Sequence, residues 1–219
     1  MPDSTPEMSG TSIVLVGAFN PRIFQPEWFA RQSLLPRTEA DQANIQIIHQ
    51  EVAQFETERF VFQVTRDRLV AATKPNTSGE PLRDLVAGTF YILEHTPVNA
   101  VGLNRDMHFD MHTEEAWHQL GDKLAPKDVW REIGAGRPGL RTLQIFYNAP
   151  SGDEPATTVT IQPSIKVLPY GAYFGVNQHF VLPADEAIDA MMQVLNERWE
   201  GFQKNAEQLS TAVLDWAKR

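Results

Sequence analysis

The stretch from Val101, "VGLNRDMHFDMH", alternates with a period of two, and this alternation constrains the chain more than any other feature. Val101, Leu103, Met107, Phe109 and Met111 share one side, with Arg105 the single polar interruption. Gly102, Asn104, Asp106, His108, Asp110 and His112 share the other, which has no apolar side chain. Successive strand residues point to opposite faces, so this segment needs a sheet with one packed face and one wet face. An antiparallel sheet with helices on one side provides both.

The rest of the chain reads in the same terms. "TSIVLVGAFN" is a strand, and "QPEWFARQSLL" a helix with Pro26 at its start and Trp28, Phe29 and Leu34 facing inward. "ANIQIIHQEVAQF" and "RFVFQVTRDRLVAAT" are read as three strands. "KPNTSG" is a loop, and Pro81 opens a helix through "LRDLVAGTFYILEH" that Pro97 closes. After the strand from Val101 come helical segments "TEEAWHQLGDKL" and "PKDVWREI", then a strand "LRTLQIFYN". "TTVTIQPSIKVL" alternates Val159, Ile161, Ile165 and Val167 against Thr158, Thr160, Gln162, Ser164 and Lys166. "AYFGVNQHFVL" is a further strand, and a long helix runs from about Ala184 to the end.

The order is β-α-β-β-β-α, twice. "VGAFNPRIFQPEWF" from Val16 can be laid on "VGLNRDMHFDMHTEEAWH" from Val101, matching Val16, Gly17, Asn20, Phe24 and Trp28 to Val101, Gly102, Asn104, Phe109 and Trp117. The expected fold class is therefore α+β: two pseudo-repeats forming a largely antiparallel sheet, helices on one face, and a long C-terminal helix. The expected divisions are a disordered tail over 1–10, a first pseudo-repeat over 11–97 and a second over 98–219, together one compact unit. The layout resembles TATA-binding-protein-like and helix-grip architectures, and such a likeness implies no shared activity.

Function is less legible. Three of six histidines fall in "NRDMHFDMHTEEAWH". Same-face neighbours on a strand lie about 6.5–7 Å apart, so His108 with Asp110, or Asp110 with His112, could share an ion. His108 and His112 are about 13 Å apart in an extended strand, too far for one zinc unless the chain bends near Asp110. Thr113 as a helix N-cap makes that bend feasible, and Glu114 and His118 share a helix face. "GVNQHF" places Asn177 and His179 together on another strand. The ligand-binding candidates are Asn104, His108, Asp110, Asn177 and His179; the metal candidates are His108, Asp110, His112 and His118.

Other signals exclude. The chain has 19 basic and 28 acidic residues, net −9, with no basic run, so nucleic acid is not an expected partner. With no cysteine there is no thiolate site or disulfide. "GAGRPG" matches a dinucleotide-loop spacing, but a helix precedes it and a strand follows, the reverse of what phosphate binding needs. No run is long enough to span a membrane, and "MPDSTPEMSG" reads as a frayed tail rather than a secretory signal, pointing to the cytoplasm.

Along the last helix Ile188, Met192, Leu195, Trp199, Phe202, Ala206, Leu209, Val213 and Trp216 step 4, 3, 4, 3 without a break. Its first half is expected to pack on the sheet. Its later turns are expected to project, so that Trp199, Phe202, Leu209, Val213 and Trp216 outline an interaction surface. The leading expectation is a non-enzymatic intracellular interaction subunit or adaptor, binding a protein partner or a second copy through this helix and needing no cofactor. The alternative is a small-ligand-binding domain or a divalent-metal enzyme using the His/Asp/Asn surface.

Overall fold

A computed structural model describes residues 5–134, 136–148 and 155–219. Nine strands form one antiparallel sheet in the order β2-β3-β4-β5-β1-β6-β9-β8-β7. They are β1 (Met8–Gly17), β2 (Asn44–Ile48), β3 (Val52–Glu56), β4 (Phe60–Thr65), β5 (Arg68–Thr73), β6 (Val98–Asp110), β7 (Leu143–Tyr147), β8 (Ala156–Pro163) and β9 (Gly171–Val181). The first strands of the two halves, β1 and β6, pair from Met8↔His108 to Gly17↔Val98 and hold the molecule together at its centre. In each half the last strand returns beside the first, β5 against β1 and β9 against β6.

One face is packed, as the alternation requires. Ile13 and Leu15 of β1, Phe60, Phe62 and Val64 of β4, Leu103 and Met107 of β6, and Phe174 and Val176 of β9 point into it. The helices α1 (Pro26–Arg31), α2 (Arg37–Asp41), α3 (Glu80–Ile92), α4 (Glu114–Leu124), α5 (Asp128–Ile133), α6 (Ala187–Gln193) and α7 (Trp199–Ala217) accompany the sheet. α3 contributes Leu82, Leu85, Val86 and Phe90 to the same core. Aromatic rings fill the first half, where Phe55 stacks on Phe62 at 4.9 Å and Phe29 lies 5.2 Å from Phe62. No helix among the described residues is long and apolar enough to cross a membrane.

Four boundaries differ from the sequence reading. Residues 8–10, assigned to a tail, belong to β1: Met8 pairs with His108, and Asn76 in the β5–α3 loop bonds both the Ser9 amide (2.8 Å) and the Glu7 carbonyl (3.1 Å). The segment read as three strands holds four, because the chain reverses at His49–Glu51, where the His49 ring accepts from the Glu51 amide. A side chain makes that turn in place of Gly or Pro, so composition conceals it. β8 ends at Pro163, not Val167. Ser164 Oγ accepts the Lys166 and Val167 amides, turning the chain and leaving Ile165 83% exposed.

The fourth concerns the C-terminal helix, which does not project. Leu214 and Ala217 in its last turns are as buried as Phe202. The stretch from α6 to the end of α7 spans about 45 Å and packs on β6, β9 and α4, with β6 itself about 40 Å long. A π turn over Val194–Arg198 adds a residue to one turn, and beyond it the buried stripe runs Trp199, Phe202, Ala206, Ser210, Leu214, Ala217. A straight helix drifts about 20° per heptad from a 3.5-residue stripe, so Leu209 and Val213 rotate to the flank and Trp216 is 49% exposed. Ser210 enters the core by turning its hydroxyl back to the Ala206 carbonyl (3.1 Å).

Candidate functional site

β6 and β9 are neighbours, and their register decides which candidates meet. Asn104 lies opposite Asn177 and His108 opposite Tyr173, whereas His179 lies opposite Gly102. All face the side of the sheet away from the core. The Asn177 amide donates to Asn104 Oδ1 at 2.8 Å, and the Asn104 amide donates to the Ser12 carbonyl at 3.4 Å. Gly102 leaves room for this pair, since a Cβ there would sit 3.4 Å from Asn177 Nδ2. His179 is six residues along the strand from Tyr173, about 20 Å from the His108 row. The two histidines therefore share a face without approaching each other.

His108 belongs to a different group, most of which lies outside the candidate set. Its Nδ1 is 2.8 Å from Ser164 Oγ, and its ring centroid is 5.0 Å from that of Tyr173. The Tyr173 hydroxyl donates to Asp106 Oδ1 at 2.5 Å, its ring lying across Gly175. A serine hydroxyl has one proton and two lone pairs. The Lys166 and Val167 amides take the lone pairs, so the proton points at His108 Nδ1, which must accept. His108 thus carries its own proton on Nε2. Burial holds the imidazole below its ordinary pKa, helped by the Lys166 charge and opposed by Asp106. Burial raises the Tyr173 phenol, and its bond to the Asp106 carboxylate raises it further.

This network resembles a serine–histidine–aspartate set in composition only. Ser164 is held by two backbone amides and buried, and Asp106 binds Tyr173 rather than orienting His108. His108 can accept the serine proton, but no carboxylate orients that imidazole and both lone pairs of the buried hydroxyl are bound to amides, so the serine is not presented as a nucleophile.

The metal candidates are likewise separated. Asp110 Oδ1 accepts the His112 amide at 2.7 Å, and its Oδ2 is 3.1 Å from His112 Nδ1. That backbone bond is the main cause of the lowered Asp110 pKa, with the His112 ring adding to it. His112 adopts φ of 62° as β6 ends, and Thr113 caps α4 by accepting the Ala116 amide at 3.1 Å. The bend near Asp110 exists, but it closes Asp110 on His112 and leaves His108 with Ser164. His118 lies 3.4 Å from Glu114, four residues back on α4. Among the described residues no three metal-binding side chains converge.

Arg105, the anomaly on the packed side of β6, has partners: Glu207 on α7 at 2.8 Å and Thr11 at 3.1 Å. Of the C-terminal helix candidates, Trp199 and Phe202 are in the core, Leu209 and Val213 are half-buried, and Trp216 lies against Lys123 of α4, whose Nζ is 5.5 Å from its ring. A cavity of about 100 Å³ opens between α4 and the sheet, lined by Trp117, Leu120, Leu140, Ile161 and Ala172. The residues of this network outside the candidate set are Asp106, Tyr173 and Ser164. Parity placed Tyr173 with Asn177 and His179, but no sequence signal supplies the register that puts it beside His108.

No family model matches the chain, and no curated protein matches it. Among solved structures it is similar to the di-domain ARO/CYC StfQ from the steffimycin biosynthetic pathway, at 9% identity over 93% of this chain and 96% of that one, with a TM-score of 0.24. That score is below the level of a shared fold.

Proposed function

We propose that the chain is a non-enzymatic intracellular interaction module, a subunit or adaptor that presents the open face of its sheet to a protein partner. The observation that carries this reading is the state of the candidate polar groups. Asn104 with Asn177, Asp106 with Tyr173, and His108 with Ser164 are hydrogen-bonded to one another, on a face rather than around a cavity. Groups arranged this way stiffen a surface; they are not poised to bind a metal or move a proton. Beside them, on β4, β5 and β1 and at the end of β9, lie Val61, Val70, Val14, Val16 and Val181, with Val16 41% and Val181 80% exposed. Exposed apolar side chains grouped on one face, with polar neighbours, suit a protein interface. The small-ligand alternative has less support, because the hydrogen-bonded polar groups line neither the cavity by α4 nor the cleft of about 470 Å³ among Trp130, Leu140 and Thr142.

The test is quantitative co-purification from the native host. A stoichiometric partner retained by the wild type and lost with Val16→Lys plus Val181→Lys supports the reading. No stoichiometric partner, together with a small-molecule thermal shift abolished by Asp106→Asn, would replace it with the ligand-binding alternative.

A further inference from the structure

The two edges of the sheet are built differently. At β2 the register slips between Ile45 and Ile47. Such a bulge is a common device for preventing another strand from adding to an edge. At the opposite edge β7 pairs with β8 in unbroken register from Leu143 to Tyr147. Among the described residues no other strand pairs with its outer row of N–H and C=O groups. Residues 142–148, "TLQIFYN", include no charge, proline or glycine. Ile145 is 39% exposed, Phe146 60% and Tyr147 51%, while α5 just before the strand exposes Val129, Trp130 and Ile133 at 63%, 58% and 72%.

We infer that β7 is the pairing edge of a two-fold homodimer, in which β7 strands from two copies run antiparallel and join both sheets into one. Three observations select a second copy as the occupant. The first is self-complementarity. Pairing about Ile145 sets Leu143 opposite Tyr147 of the second copy and Gln144 opposite Phe146, so every pair is apolar or neutral and each falls on a common face.

The second is charge. A chain of net −9 repels its own copy, but residues 142–148 carry no charge, so no like charges face each other along the paired strands. The third is area. At about 150–250 Å² for a large side chain, the exposed parts of Ile145, Phe146, Tyr147 and Trp130, which lines the cleft at the start of β7, amount to roughly 300–500 Å² per copy, the low end of a specific interface before the paired backbone is added. The antiparallel arrangement also brings Tyr147 of the second copy to the start of β7, where a cleft of about 470 Å³ lies among Trp130, Leu140 and Thr142. This dimer does not depend on what binds the open face.

Sedimentation velocity on the full chain tests it. The expected species is twice the 24.7 kDa chain mass. Gln144→Lys plus Phe146→Lys, both on the open face, should give a monomer with unchanged far-UV circular dichroism. Trp216→Lys on the C-terminal helix should leave the dimer intact. Amide exchange gives a readout without mutation: Leu143–Tyr147 should be protected in the concentrated wild type and lose protection on dilution. A wild type monomeric into the hundred-micromolar range, a dimer that survives the double lysine change, or a dimer broken by Trp216→Lys would overturn the inference.

Discussion

His108 carries its proton on Nε2 because of a serine it meets only through the turn after β8. The Ser164 hydroxyl accepts two amides and donates to Nδ1, so its place in the network is fixed from both sides. This has a consequence for acid stability. The folded-state pKa of His108 is depressed, so below the ordinary value near 6.5 the unfolded chain takes up a proton that the folded chain resists. His108 thus makes folding less favourable as pH falls from about 6.5 toward its folded pKa, and has no such effect above that window. Urea titrations across the window should show a shallower pH dependence in His108→Gln than in the wild type, by up to about 1.4 kcal/mol per pH unit. Equal slopes would mean His108 titrates normally. A second prediction concerns the same turn. A Cβ on Gly171 would lie 2.0 Å from the Val167 carbonyl oxygen and 2.7 Å from Ser164 Cβ. Backbone cannot yield cheaply there, so Gly171→Ala should cost about 1–3 kcal/mol in chemical denaturation, more than Gly201→Ala, where a Cβ meets nothing.

At the scale of the element, α7 shows how a periodic stripe can be read correctly in kind and still be offset. The 3–4 pattern identifies a long amphipathic helix with one buried face. Its exact positions assume the 3.5-residue repeat of a supercoil, whereas a single helix on a sheet stays near 3.6 and the face drifts. The sequence could not reveal the drift, because Ser210 looks polar and turns out fully buried. Leu214→Ala should therefore cost about 2–5 kcal/mol, as fully buried leucines do. Leu209→Ala, from the predicted seam but at the flank, should cost less than half as much in the same urea titration. Equal losses would mean that the helix presents the seam after all.

At the scale of the whole molecule, β1 and β6 form a seam of ten paired positions, and the two halves share one continuous sheet. Heating should give one transition, with near-UV and far-UV circular dichroism superimposing, since neither half has a complete sheet without the other. Two resolved transitions would show independent units. What the sequence determined by itself follows from local geometry. Side chains alternate along any strand, so the polar side of β6, the sharing of one face by Asn177 and His179, the α+β class and the amphipathic last helix were all legible; that the polar side of β6 is half-buried, with His108 4% exposed, was not. Which strands neighbour each other, and in what register, was not. Parity repeats every two residues, so it cannot distinguish His108 opposite Tyr173 from His108 opposite His179, although these differ by about 20 Å. The turn at His49 has no Gly or Pro to mark it, and the one at Ser164 is made by a side chain that follows Pro163, a residue that can also sit at a strand's edge. The sequence thus put Asn104, His108 and Asp110 on one side of their strand, and Asn177 and His179 on one side of theirs, while only the tertiary structure decided which of them meet, because strand register is set by packing across the entire sheet.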